Sequence, residues 1–177
     1  MQTLYLIRHT RPDIAPDICY GQLDIDVADS FGEEANAVLN LLPPLDLIIT
    51  SPLLRTRKLA KFLSQTLNCK QQTDTRLMEK HFGEWEGKSW DHIERSEIDA
   101  WAADIMDYAP SGGESAQQVM RRAQAFLHTL AQLPQQNIAL VAHGGSVRAM
   151  LAQLAGIPLT DTLNWKIEYG AVIAARN

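Results

Sequence analysis

A chain of 177 residues with 16 Lys and Arg against 21 Asp and Glu has a formal charge of −5, and its length fits one domain with a single core. An acidic balance without any block of Lys or Arg excludes nucleic acid and anionic lipid as the main partner, since both demand a basic face. No stretch approaches the ~18 consecutive apolar residues of a membrane span and no signal-peptide pattern opens the chain, so a soluble, cytoplasmic protein is expected.

The first element is the apolar run Leu4-Tyr5-Leu6-Ile7, which stops abruptly on Arg8-His9-Thr10. A run that short and that apolar predicts a strand buried on both faces, and α/β folds place their sites at the carboxyl ends of such strands. Arg8 and His9 are therefore expected at the edge of a central sheet. A neutral imidazole is a nucleophile toward phosphorus, and an adjacent guanidinium has the forked geometry that grips phosphate oxygens. The pair alone decides little, because a strand can also end on Arg-His at a solvated rim.

Pro12 to Asp29 reads as loop, with Pro12, Pro16, Gly21 and a scatter of Asp. Its Cys19-Tyr20-Gly21-Gln22-Leu23-Asp24 portion either folds back over the site, with Gly21 allowing close backbone approach, or forms a surface Ω-loop held by Tyr20. A helix follows from Ser30 to about Leu42, stopped by Pro43-Pro44; a strand spans Leu45 to Thr50; and after Ser51-Pro52 a helix runs from Leu53 to Leu67. Arg55 falls in the first turn of that helix, where the partial positive charge also favours an anion. Arg57, Lys58 and Lys61 are the contrast, solvated helix cations without a role.

Lys70 to Thr73 is a short edge strand. Arg76 to Gly87 is an ordered loop in which Glu79, Glu84 and Glu86 stand among Phe82 and Trp85 like the wall of a site. Ser89 to Tyr108 carries Trp90, Ile93, Ile98, Trp101 and Ile105 on helical segments, a small helical cap subregion over about residues 85–112 of a single domain spanning 1–177. Its rings are expected to be core rather than ligand cage. Ala116 to Leu133 is a long helix, and Ser111 to Glu114 and Ser115 to Gln118 both fit a capping box. Asn137 to Ala142 is a third continuous apolar strand and again ends in histidine, His143-Gly144-Gly145-Ser146, before a helix over Val147 to Ala155. Glycines at a strand-to-helix turn let backbone N–H groups point at one anion. A last strand covers Gly170 to Ala175. His81, His92 and His128 read as surface or wall residues, and Cys19 and Cys69, far apart in unlike surroundings, read as free thiols.

Arg8-His9-Thr10, Ser51-Pro52-Leu53-Leu54-Arg55-Thr56, Leu77-Met78-Glu79 with Phe82-Gly83-Glu84-Trp85-Glu86-Gly87, Gly113-Glu114-Ser115 and His143-Gly144-Gly145 together resemble the histidine phosphatase superfamily in order and spacing, over nearly the whole chain. Arg8-His9-Thr10-x-Pro12 with Cys19-Tyr20-Gly21-x-x-Asp24 looks like its α-ribazole phosphatase branch, which acts in cobalamin nucleotide-loop assembly. The resemblance implies a phosphoglycerate mutase-like α/β fold, a three-layer sandwich whose mostly parallel central sheet is flanked by helices. It also implies a metal-independent phosphomonoesterase without cofactor, acting on a small phosphomonoester through a phosphohistidine. In that reading His9 attacks phosphorus, Arg8, Arg55, His143 and Gly144 hold the phosphoryl oxygens, Glu79 protonates the leaving alcohol, and Thr10 and Gln22 contact substrate.

The pattern departs from the family at Thr10, Leu59 and Ala142, where Gly, Thr and Thr or Ser are usual. Thr10 adds a hydroxyl, and the other two are expected to remove supporting hydrogen bonds. Alternatives at this level are a phosphatase of another small ester, a phosphoglycerate-type mutase, and a phosphoester-binding module without activity. Oligomeric state is not legible.

Overall fold

In the computed structural model, which describes residues 1–177, the opening apolar run forms β1 (Thr3–Arg8), with Leu4, Leu6 and Ile7 fully buried. Strands β2 (Leu47–Thr50) and β4 (Asn137–Ala142) are as thoroughly covered, and β3 (Gln71–Thr73) is an exposed edge. The sheet order is β3-β2-β4-β1-β5, parallel throughout except for the antiparallel edge strand β5 (Val172–Arg176). Inserting β4 between β1 and β2 brings three carboxyl ends together.

Because successive side chains alternate across a strand, each central strand serves two cores. Leu4, Leu6, Ile49, Ile138 and Leu140 pack on α4 (Ala116–Leu130) and α5 (Gly144–Ala155) through Val119, Phe126, Val147 and Met150. Ile7, Ile48, Ala139 and Val141 pack on the opposite layer, α1 (Phe31–Asn40) and α2 (Leu54–Leu67), through Ala35, Val38, Leu59 and Leu63. The result is the expected α/β sandwich of three layers. Leu59 and Ala142 are fully buried in these cores.

Several boundaries differ from the sequence reading. The helix of the cap, α3 (Arg95–Ala103), ends five residues before Tyr108, and the remaining turns are irregular. Helix α4 stops at Leu130 because Gln2 Nε2 donates to the carbonyls of Leu130, Leu133 and Gln135, drawing the chain aside. Only Ser115 and Gln118 form a capping box; Glu114 is committed elsewhere. Helix α5 starts at Gly144 rather than Val147, since the His143 carbonyl already accepts from Val147 N–H and Ser146 Oγ accepts from His143 N–H. Both cysteines are free and buried.

Candidate active site

Register determines what meets at the carboxyl edge. Arg8 pairs with Ala142 and Thr50 with Val141, so the next residues along, His9, Ser51 and His143, are neighbours. His9 N–H donates to Ala142 O at 3.0 Å and Ser51 N–H to Val141 O at 3.0 Å. The two imidazoles lie edge to face with centroids 5.1 Å apart. His143 Nε2 meets Ser51 Oγ at 2.8 Å, while its Nδ1 is buried without a protein partner.

The tautomer of His9 follows from its partners. Nδ1 lies 2.6 Å from Thr10 O, which can only accept, so Nδ1 carries the proton. Nε2 is then the lone-pair nitrogen, and Arg55 Nε donates to it at 3.3 Å. Burial, and then the charges of Arg55 and Arg8, hold the His9 pKa well below the usual imidazole value, against the Thr10 bond that raises it. Burial, with His9 and the same arginines, does the same to His143. Both rings are therefore neutral at neutral pH.

Arg55 is fully buried, and its remaining nitrogens clasp the loop, Nη1 on Leu23 O and Nη2 on Gly21 O, each at 2.7 Å. Gly21 adopts a φ of +36°, and a Cβ there would sit 2.7 Å from the Lys80 carbonyl. The segment thus folds back over the site, the first of its two sequence readings. Arg8 donates from Nη1 to Ile167 O at 2.6 Å and stacks 3.9 Å from the centre of the Tyr169 ring, leaving its buried Nε unpaired. Gly144 opens α5 among the unpaired donors of a helix N-terminus, and a Cβ on it would lie 3.5 Å from the Arg8 guanidinium.

Glu79 is held by backbone. Lys80 N–H donates to Oε1 at 2.8 Å and Gly145 N–H to Oε2 at 2.9 Å. A Cβ on Gly145 would lie 2.3 Å from Oε1, so only glycine admits the carboxylate there. The Phe82 and Trp85 rings, read from sequence as part of a site wall, pack with Trp90, Trp101 and Tyr108 beneath the cap. Arg122, which carries no local sequence signal, fixes the segment by donating to the carbonyls of Arg76, Met78 and Glu79 while pairing with Glu114 at 3.1 Å. Gln22 reaches the same segment, its Nε2 donating to Glu79 O at 2.9 Å. Thr10 is fully buried with its Oγ1 unpaired, and its carbonyl orients His9.

Beside these groups opens a cavity of about 480 Å³, walled by Arg8, Glu79, Gly144 and Gly145 at one end and by Phe82, Trp90 and Trp101 at the other. Trp90 and Trp101 are thus half-buried cavity wall as well as packing. His9 lies just behind the cavity, 1% exposed, with the Tyr169 ring 5.6 Å away and Tyr169 hydrogen-bonded through its hydroxyl to that of Tyr20 at 3.0 Å. Of the other histidines, His92 and His128 are exposed, and His81 accepts from Gly83 N–H.

Paired imidazoles with flanking guanidiniums at the ends of parallel strands are equipment for phosphoryl transfer, which is mostly positioning and charge stabilisation. The histidine phosphatase superfamily (branch 1) matches the chain over residues 4–176, and the chain belongs to that family, a family of phosphatases. Its relatives divide by substrate. It is 33% identical to a glucosyl-3-phosphoglycerate phosphatase of Mycolicibacterium vanbaalenii, over 94% of this chain and 79% of the relative. It is 26% identical to the adenosylcobalamin/α-ribazole phosphatase of Salmonella typhimurium, over 94% and 86% respectively. Among solved structures, the α-ribazole phosphatase of Shigella flexneri superposes with a TM-score of 0.89 at 26% identity, covering 98% of this chain and 89% of that one. No helix is long and apolar enough to cross a membrane.

Proposed function

We propose that residues 1–177 act as one catalytic unit, a phosphomonoesterase working through a phosphohistidine, with the turns and short helix near 85–112 as its cap. The observation that carries this is the enforced tautomer of His9, whose Nε2 lone pair faces Arg55 while Nδ1 is tied to Thr10 O. The substrate phosphoryl displaces the Arg55 Nε–H from that lone pair. Nε2 then bonds to phosphorus as the bond to the leaving oxygen breaks, with charge spread onto Arg8, Arg55, His143 and the N–H of Gly144.

Glu79, whose oxygens each keep a lone pair beyond the backbone bonds, gives its proton to the departing alkoxide. In the second half it takes a proton from the water that attacks phosphohistidine, releasing inorganic phosphate and restoring His9. The guanidiniums supply the charge a metal would bring, so turnover should persist in EDTA. Two free buried cysteines fit a reducing, cytoplasmic setting.

The test is His9→Ala. We expect phosphate release from 4-nitrophenyl phosphate to vanish while the circular dichroism spectrum stays native, and acid-labile phosphate on the wild-type protein to be absent from the variant. Unchanged turnover would remove His9 as nucleophile.

At the finer level two substrates compete. The Thr10, Pro12 and Cys19-Tyr20-Gly21 motif supports α-ribazole 5′-phosphate. Two cations without carboxylate partners in the cavity, Lys80 and Arg148, favour an ester whose alcohol is itself acidic, as in the glucosyl-3-phosphoglycerate relatives.

A further inference from the structure

Lys80 is 7% exposed, and its Nζ is buried without a hydrogen-bond partner. It lies 5.3 Å from the Phe82 ring centre and 5.5 Å from that of Trp101, and all three residues line the cavity. No carboxylate bonds to it, although the charges of Glu114 and Glu79 are felt at its ammonium. Glu79 is taken by the Lys80 and Gly145 amides, and Glu114 by Arg122 and His81 N–H. A second lining cation stands toward the phosphoryl end instead: Arg148 Nη1 lies 3.9 Å from where a Cβ on Gly144 would be, Nη2 donates to Trp165 O at 2.9 Å, and Nε is buried and unpaired.

Glu79 is the one carboxylate among the lining residues, against Arg8, Lys80 and Arg148. Arg8 is aimed at the phosphoryl. Cation–π contact with two rings offsets part of the desolvation of Lys80, but an ammonium so buried is costly unless an anion reaches it.

We propose that Lys80 is a specificity residue that binds an anionic group, a carboxylate, on the leaving alcohol of a phosphomonoester whose flat or apolar body rests against Trp90 and Trp101. This rests on the phosphomonoesterase reading and sharpens it. The cavity's volume suits a leaving group of that size. The acidic group lies at the aromatic end, away from the phosphoryl, so ester and carboxylate are bound by separate cations. Binding of this kind favours α-ribazole 5′-phosphate, whose alcohol is uncharged, less than an acidic ester.

The test compares 4-carboxyphenyl phosphate with its neutral amide, 4-carbamoylphenyl phosphate, by kcat/KM. Wild type is expected to prefer the carboxylate about tenfold or more, the size of a charge-assisted hydrogen bond. Lys80→Met, which keeps the apolar stem, should bring the ratio close to one, and Lys80→Arg should keep it. A wild-type ratio near one, or a ratio unmoved by Lys80→Met, overturns the proposal. Should Lys80→Met unfold, wild type is assayed with 4-(aminomethyl)phenyl phosphate, whose rate must fall below that of the amide; an equal or faster rate overturns the proposal as well. If neither aryl ester releases phosphate, it is the phosphomonoesterase reading that fails instead.

Discussion

The phosphoryl end of the site and the cavity beside it are built by different means. At the phosphoryl end His9, Arg8 and Arg55 stand at a strand end or a helix start, Glu79 stands in a loop, and all four are oriented by main-chain partners: His9 by Thr10 O, Arg55 by Gly21 O and Leu23 O, Arg8 by Ile167 O, Glu79 by two amides. The far part of the cavity is walled by loops, short turns and rings that touch one another, with the Lys80 ammonium left unpaired. A rigid, backbone-fixed end suits the part of the substrate that is always the same. A wall of side chains suits the part that differs between relatives named as adenosylcobalamin/α-ribazole phosphatase and as glucosyl-3-phosphoglycerate phosphatase. Substitutions of the cations that grip the phosphoryl should therefore harm every ester alike, loss of the acid should follow the basicity of the leaving group, and substitutions in the wall should re-rank esters by shape and charge.

The strongest way to break that contrast is Arg55→Lys, for which kcat/KM should fall about 10³-fold on aryl and alkyl esters equally, because an ammonium reproduces neither the fork nor the loop bonds. A loss confined to one class of ester would show that Arg55 belongs to leaving-group recognition. Gly145→Ala comes next. Its methyl group displaces the Glu79 carboxylate, so alkyl phosphates should lose about 10²-fold while 4-nitrophenyl phosphate, whose leaving group barely needs an acid, loses far less. Equal losses would detach Glu79 from proton transfer.

The histidines also make the phosphoryl end acid-sensitive. Both have folded pKa values below the unfolded imidazole value, so the unfolded chain binds more protons as pH falls. Their contribution to stability is full above a pH of about 6.5 and is lost progressively below it, toward their lowered folded values. The melting temperature should decline between about pH 7 and pH 5, and less steeply in His143→Asn. Parallel pH profiles for the two proteins would contradict the buried neutral assignment. The smallest effect is expected from Tyr169→Phe, which removes one hydrogen bond: a change in kcat/KM of about threefold or less, read by steady-state assay on the same esters.

How much could be read from sequence divides along the same line. Continuous apolar runs ending on Arg8-His9 and on His143 announce strands with something at their carboxyl ends, and Arg55 announces itself through Ser51-Pro52 and the helix behind them. Strand order, which makes those ends neighbours, is not written in periodicity and is seen only in the fold. Glu114 misleads because a Ser three residues before a Glu fits a cap, whereas Arg122 and the amide of His81 claim the carboxylate. Arg122 itself, bonding across 43 to 46 residues, looks like any helix cation. Lys80 and Arg148 are equally silent, since nothing local tells a cation left unpaired in an aromatic wall from one in water. Gln22, read as a substrate contact, also donates to the Glu79 carbonyl, a bond no local pattern announces.

The bond between the hydroxyls of Tyr20 and Tyr169, beside which His9 is almost sealed, bears on what the nucleophile will react with. Opening it costs about 1 kcal/mol, less than a tenfold penalty on any encounter. An imidazole kept uncharged would otherwise be open to adventitious acylating or alkylating agents at neutral pH. A neutral reagent meets that barrier with nothing to offset it, whereas an electrophile that carries negative charge is drawn in by Arg8 and Arg55. Chemical selectivity at this histidine is thus a property of its enclosure as much as of its basicity.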